Sequence, residues 1–343
     1  RFVGHAITVS ILTIASRITG LVRDAVLAAA FGLGAIADAF FMAFLIPNLF
    51  RRLFGEGALT AAFVPVYTRL VHTDRLSARR LASLCVALLL VVLSGVTLLG
   101  EAVLAYLITR DISPDAHLTL RMAMIMLPYM PLVCVVALLG GVLQVHGRFG
   151  APAAASIVLN IGMIIAAVPG RQGIIGDGSP RDAVVVISVG VIVAGVGQLL
   201  WQGLAVLRVE TFTTSLRDAW PAFREMLVMM GPMVIGLAVF QINTFMDSVI
   251  AYTLSSTEGG DATFNLFGQT VPYPIDAGGV AALQWAQRLY WFPLGVFGIA
   301  IATAIFPALS RAATMPESSA QSGPLPGARV PGALPGAVGR ERL

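Results

Sequence analysis

The chain has 343 residues, of which 57% are hydrophobic and only 12% charged, with a formal net charge of +4. An ordinary soluble domain carries roughly 25% charged residues, so this composition excludes a water-soluble globule and points to helices solvated by a bilayer. The basic residues, 22 in all, are Arg without a single Lys; they stand at the ends of apolar runs and form no stripe interleaved with exposed aromatics, which excludes a nucleic-acid surface.

A helix needs about 20 mostly apolar residues to cross the hydrocarbon core. Eight stretches meet that need, near residues 6–31, 36–54, 81–109, 121–145, 151–169, 183–207, 226–254 and 280–310. The first contains Arg17 and Arg23 and lacks a small-residue cleavage site, so it reads as a span and not as a leader. The loops after the second, fourth and sixth stretches carry Arg69, Arg75, Arg79 and Arg80, then Arg148, then Arg208, Arg217 and Arg224. The positive-inside rule makes these loops cytoplasmic and places both termini in the cytoplasm. The connection between the seventh and eighth stretches has Glu258, Asp261 and Asp276 but no Arg, and reads as an external loop. From Met315 onward the chain is dense in Pro and Gly and is expected to be disordered. The expected divisions are therefore a six-helix lobe at 1–210, helices 7 and 8 at 211–314 and a tail at 315–343.

Little in the chain suggests chemistry. Cys85 and Cys134 lie inside apolar runs, where a thiol serves as a small hydrophobe. His5, His72, His117 and His146 occur singly, without the spacing of a metal site. No convergent acid, base and nucleophile set is found, so no enzyme and no cofactor is expected.

The informative residues are polar groups where hydrocarbon should be: Arg17, Arg23 and Asp24 in the first stretch, Asp38, Asn48, Arg51, Arg52 and Glu56 in the second, Asn243 and Asp247 in the seventh, Arg288 in the eighth. An Arg or Asp at the bilayer centre costs about 2.5–3.5 kcal/mol on insertion scales, so such groups face a cavity, a partner or an interface. Several arginines together suit an anion, because the guanidinium stays charged and its fork matches phosphate oxygens. Arg52 with Glu56, four residues apart, reads equally well as a pair at the membrane surface, and Arg23 with Asp24 as an interfacial pair. Arg17 and Arg23 project about 120° apart on one helix, so a shared cavity must be wide or the helix bent, as Gly20 permits. Pro47, Pro128, Pro131, Pro232 and Pro293 interrupt helical bonding, as in the broken helices of transporters.

The run from Ser16 to Pro65 contains S-R-x-x-G-x-x-R-D, then G-x-G-x-x-x-D-A-F-x-x-A-F, then P-N-x-x-R-R-x-F-x-E-G-A; a second block from Trp285 contains A-x-R-L-x-x-x-P-x-G-x-x-G-x-A. Both blocks resemble the MurJ/MviN family of lipid II flippases. The resemblance implies an all-α polytopic membrane helix bundle of the multidrug/oligosaccharidyl-lipid/polysaccharide exporter type, with about eight transmembrane helices here: a complete first six-helix lobe and the start of a second. It implies a non-enzymatic carrier in the bacterial inner membrane that moves lipid II, the undecaprenyl-pyrophosphate-linked disaccharide pentapeptide, by alternating access among membrane lipids. It carries the family's cavity residues onto Arg17, Arg23, Asp38, Arg51 and Arg288, with Asp38 expected to hold an arginine, and makes Asp247 a sodium-ligand candidate for a coupling monovalent cation. Full-length members have about fourteen spans, so the chain reads as a truncated gene product, a frameshifted end or one part of a split transporter, and in the last case its partner is a second chain supplying the missing helices. The competing expectations are another lipid-linked oligosaccharide or drug exporter of the same superfamily, and a non-transporting truncated membrane protein. Buried arginines rather than carboxylates argue against a cation exporter.

Overall fold

The computed structural model describes residues 2–55, 57–111, 113–256, 263–266, 269–289 and 305. Arg1–Arg288 forms one compact unit, and a second begins at Leu289. The chain order within the first is α1 (Phe2–Phe31), α2 (Ala35–Phe50), a π-helical turn (Arg51–Gly55), α3 (Ala58–Thr73), α4 (Arg75–Ile108), α5 (Pro114–Met126), α6 (Tyr129–Val145), α7 (Gly150–Arg171), α8 (Pro180–Leu207), α9 (Trp220–Thr253), β1 (Thr263–Leu266) and β2 (Gln269–Pro272). A further helical segment covers 279–289.

The helix starts are chemically marked. Asp74 accepts from the Leu76 and Ser77 N–H groups to begin α4, and Ser113 and Ser179 cap α5 and α8 ahead of Pro114 and Pro180. In each case a side-chain oxygen satisfies an N–H that has no partner within the helix. At the end of α6 the chain turns at Gly147, with φ of 71°, and the Arg148 N–H returns to the Leu143 carbonyl. Such a left-handed cap favours glycine.

Helix α6 is the centre of the bundle. It is apolar on every side and buried nearly throughout, as expected for a helix enclosed by others. Its first half joins a core with Phe40, Met122, Met126 and Met163; its second half joins another with Leu59, Phe63, Tyr67 and Leu81. Around it, α7 packs along α8, α1 along α7 and α2 along α5. The α7–α8 approach relies on small residues at helical spacing: a Cβ on Gly162 would stand 2.6 Å from Ala194 Cβ, and one on Gly190 would overlap Ala166. This is the small-residue packing that membrane helices use. The outward faces are apolar, with Val91, Leu99, Ile165, Val193 and Val239 all more than 50% exposed, a surface suited to lipid tails.

Several expectations are revised. Residues 58–73, expected as a polar loop, form α3. Its buried Leu59, Ala62, Phe63, Val66 and Tyr67 recur at helical spacing, but Arg69 and His72 make the segment too polar and short to register as a span. The fourth expected span is two helices, α5 and α6, separated at Pro128. The connection between the seventh and eighth stretches includes an antiparallel hairpin pairing Thr263 with Pro272 and Leu266 with Gln269. Among the described residues, five of the eight expected spans are long and apolar enough to cross a membrane: α4, α5–α6, α7, α8 and α9. Helix α1 runs unbroken over Phe2–Phe31 and carries Arg17, Arg23 and Asp24, and α2 has only 16 residues before the π turn. Residues 290–304 and 306–310 of the eighth expected span, and the tail at 315–343, lie outside the described residues.

Candidate anion site

Arg23 of the first span and Arg288 of the segment 279–289 assemble around one carboxylate, Asp24. Asp24 Oδ1 accepts from Arg23 Nε at 3.0 Å and Nη2 at 2.7 Å, while Asp24 Oδ2 lies 3.0 Å from Arg288 Nη1 on the segment 279–289. The Arg288 contact is an ion pair without hydrogen-bond direction, so Oδ2 keeps unsatisfied accepting capacity. Arg23 is 6% exposed and Asp24 9%. The third guanidinium nitrogen of Arg23, Nη1, donates to Asn160 Oδ1 on α7 at 2.8 Å. Asn160 in turn donates through Nδ2 to Thr19 Oγ1 and the Ser16 carbonyl, which orients its oxygen towards Arg23.

The node thus has two guanidiniums to one carboxylate and is net positive. Arg288 also lies close enough to Arg51 and Arg52 for their charges to act on it. Charges in a low-dielectric interior act over longer distances than in water, so the region attracts anions. Its fork donors suit the paired oxygens of phosphate groups.

The other expected site residues sit differently. Arg17, six residues before Arg23 on α1, is half-buried and makes no hydrogen bond or ion pair with the described residues. Arg51 lies in the π turn, where its Nε donates to Asn48 Oδ1 at 3.1 Å. Asp38 was expected to hold an arginine. Its carboxylate accepts from the Gly278 N–H through Oδ2 and the Ala281 N–H through Oδ1, both at 2.8 Å, and so caps the segment that carries Arg288. The carboxylate that meets Arg23 and Arg288 is Asp24. Asp247 is exposed on α9 and accepts from Asn243 Nδ2 at 3.3 Å. Because the amide nitrogen, not its oxygen, faces the carboxylate, these two residues alone make an incomplete oxygen cage for a cation. Among the described residues no group of three or more His, Cys, Asp or Glu side chains could hold a metal.

Asn160 was missed by sequence reasoning. The signal available was an amide in an otherwise apolar span, and nothing in the sequence pointed it at Arg23.

Apart from this node, Glu210 anchors the end of α8. Its side chain is 1% exposed and meets Arg79 at 2.7 Å, Arg75 at 3.6 Å and His146 at 3.6 Å, while accepting from the Thr211 N–H. Burial alone raises its carboxyl; the Arg79 hydrogen bond, the Thr211 N–H and the charges of Arg79 and Arg75 outweigh this and hold it below the usual carboxylate range.

A polytopic helix bundle, with an arginine-rich node tying α1 to the segment 279–289, belongs by fold to the class of multi-helix membrane proteins. Two solved structures share this fold: a lipid II flippase MurJ in an inward closed conformation, with a TM-score of 0.62 and 22% identity over 89% of this chain and 59% of that one, and a MOP superfamily transporter from Pyrococcus furiosus, with a TM-score of 0.58 and 17% identity over 84% and 60%. The family described as lipid II flippase MurJ matches residues 27–322, and the chain belongs to it. A probable lipid II flippase MurJ of Rhizobium tropici is 34% identical over 89% of this chain and 54% of its own length; one from Vibrio cholerae is 33% identical over 91% and 57%. The chain therefore spans little more than half the length of the curated relatives it matches.

Proposed function

We propose that this chain takes part in moving a pyrophosphate-linked lipid, lipid II, across the bacterial inner membrane, as a carrier and not as an enzyme. The observation that supports this most is Asp24 shared between Arg23 and Arg288. A pyrophosphate approaching the node competes with one carboxylate for two guanidiniums, so binding exchanges one set of ionic bonds for another and avoids leaving bare charges in a low dielectric. Because Arg23 belongs to α1 and Arg288 to the segment 279–289, that exchange also changes what holds these two elements together. A ligand that favours one arrangement over another shifts the population between them, which is the requirement of alternating access.

Arg17 and Arg51 extend the positive field along the same route, and Asp38 acts as a positioning residue for the helix that presents Arg288. Both termini are assigned to the cytoplasm on the arginine distribution of the loops. A coupling monovalent cation at Asp247 requires oxygen donors beyond α9.

The test is native mass spectrometry of the purified chain in micelles with undecaprenyl pyrophosphate. Arg23→Ala with Arg288→Ala is expected to weaken binding at least tenfold relative to undecaprenol, which lacks the anion. Equal binding of both lipids by the unsubstituted chain overturns the reading. Complementation of a flippase-depleted strain, with and without Arg17→Ala, then reports whether the chain works without a partner.

A further inference from the structure

A cavity of about 310 Å³ lies inside the lobe, at the end where α6 turns into α7. Arg51 and Thr60 line it from the π turn and α3, Gln144 from α6, Ser156 from α7, and Gln198 and Gln202 from α8. Its volume falls at the lower end of the about 300–1,000 Å³ typical of small-ligand pockets. Arg23, Asp24 and Arg288 are not among its lining residues.

Its polar groups are held ready and partly uncommitted. Gln198 and Gln202, four residues apart on α8 and 2% and 1% exposed, donate to the Ala155 and Ala151 carbonyls of α7. This leaves their carbonyl ends turned towards other groups. Gln198 Oε1 accepts from Tyr129 at 3.4 Å, whereas Gln202 Oε1 is buried without a partner. The side chains of Gln144 and Ser156 also form no hydrogen bond with the described residues. A buried polar atom left unpaired costs about 1–3 kcal/mol, so the orphan oxygen of Gln202, beside the half-buried and uncommitted Gln144 and Ser156, favours an occupant that both donates and accepts. No carboxylate is present among its described lining residues, which removes the partner a cationic ligand needs.

We propose that this cavity binds a sugar ring through its hydroxyl and amide substituents. A hydroxyl donates one bond and accepts two, and so matches the orphan acceptor of Gln202 and the donors of Gln144 and Ser156 together. Ser156 is one helical turn from Asn160, the residue that holds Arg23, and such neighbours lie about 5–6 Å apart on a helix face. A sugar in the cavity is thereby placed one turn along α7 from the arginine node. That the sugar is part of a transported lipid rests on the carrier reading above; the hydrogen-bonding match does not.

The experiment is saturation-transfer difference NMR of the purified chain in micelles with N-acetylglucosamine, which carries hydroxyl and amide groups and no phosphate. Saturable binding is expected, weakened at least fivefold in both Gln202→Met and Ser156→Val with the helical circular dichroism retained. Gln202→Met preserves the side-chain length and removes the acceptor, and the half-buried Ser156 provides a second substitution should the first impair folding. Absence of saturable binding in the unsubstituted chain, or equal affinity in a folded variant, overturns the proposal and assigns the cavity to water. The probe has no pyrophosphate, so this result is separate from the success or failure of the Arg23 and Arg288 test.

Discussion

Asp24 Oδ2 lies 3.0 Å from Arg288 Nη1 while Asp24 Oδ1 accepts two bonds from Arg23, so one carboxylate separates two guanidiniums brought from opposite ends of the described chain. Asp24→Asn leaves both cations in place without their counter-ion. Removing one partner of a buried pair costs about 3–5 kcal/mol. The lower figure is expected because the Arg288 side chain is 38% exposed. Unfolding in micelles measures the loss, and adding Arg288→Ala to Asp24→Asn should recover part of it, as residues in one network are non-additive.

Asp38 makes two hydrogen bonds to backbone N–H groups at the start of the segment 279–289 and is 3% exposed. Asp38→Ala is expected to cost about 2 kcal/mol, the upper end for loss of a cap. The effect should be local: hydrogen exchange accelerates at 278–282 and stays unchanged in α6. Asp38→Asn retains one accepting oxygen and should lie between the two. Equal exchange in all three chains is the contrary result.

Glu210 supplies a pH dependence. Its carboxyl is held below the usual range, with Arg79 and Arg75 beside it and His146 facing Oε2. A carboxyl lowered by folding contributes stability above its unfolded value, about 4.3, and loses it as pH falls through the folded value. Glu210→Gln should therefore lower the thermal midpoint at neutral pH and flatten its decline on acidification. A midpoint curve parallel to that of the unsubstituted chain would count against this role of Glu210.

The α7–α8 seam tests packing. Gly190 has no room for a Cβ beside Ala166, whereas Gly95 on α4 has no atom within 4 Å of the added carbon. Gly190→Val should destabilise by about 1–3 kcal/mol through overpacking. Gly95→Ala should stabilise by about 1 kcal/mol, the helix propensity difference. Thermal midpoints of the two variants moving in the same direction would refute the distinction.

Much of this fold was legible in the chain. Runs such as Leu81–Thr109 and Ala183–Leu207 announce helices because backbone polar groups in hydrocarbon must bond within their own segment. Arg23 and Arg288 stood out because an ion in lipid is costly. Helix α3 escaped because its signal is periodicity, carried by Leu59, Phe63, Val66 and Tyr67, and not mean apolarity. The role of Asp38 escaped because a cap joins residues distant in sequence, and hydrophobic patterning contains no term for such pairs.

By itself the sequence determined the solvent of this protein, the order of its helices and the kind of charge they carry inward, because these follow from local composition and the cost of exposing polar groups to lipid. Tertiary structure decided the partners: that Asp24 meets Arg23 and Arg288, that Asn160 orients Arg23, and that Gln202 of α8 keeps an unpaired oxygen at a cavity. Hydrogen bonds and ion pairs depend on distances of about 3 Å and on direction, and those are set only when helices far apart in the chain have packed.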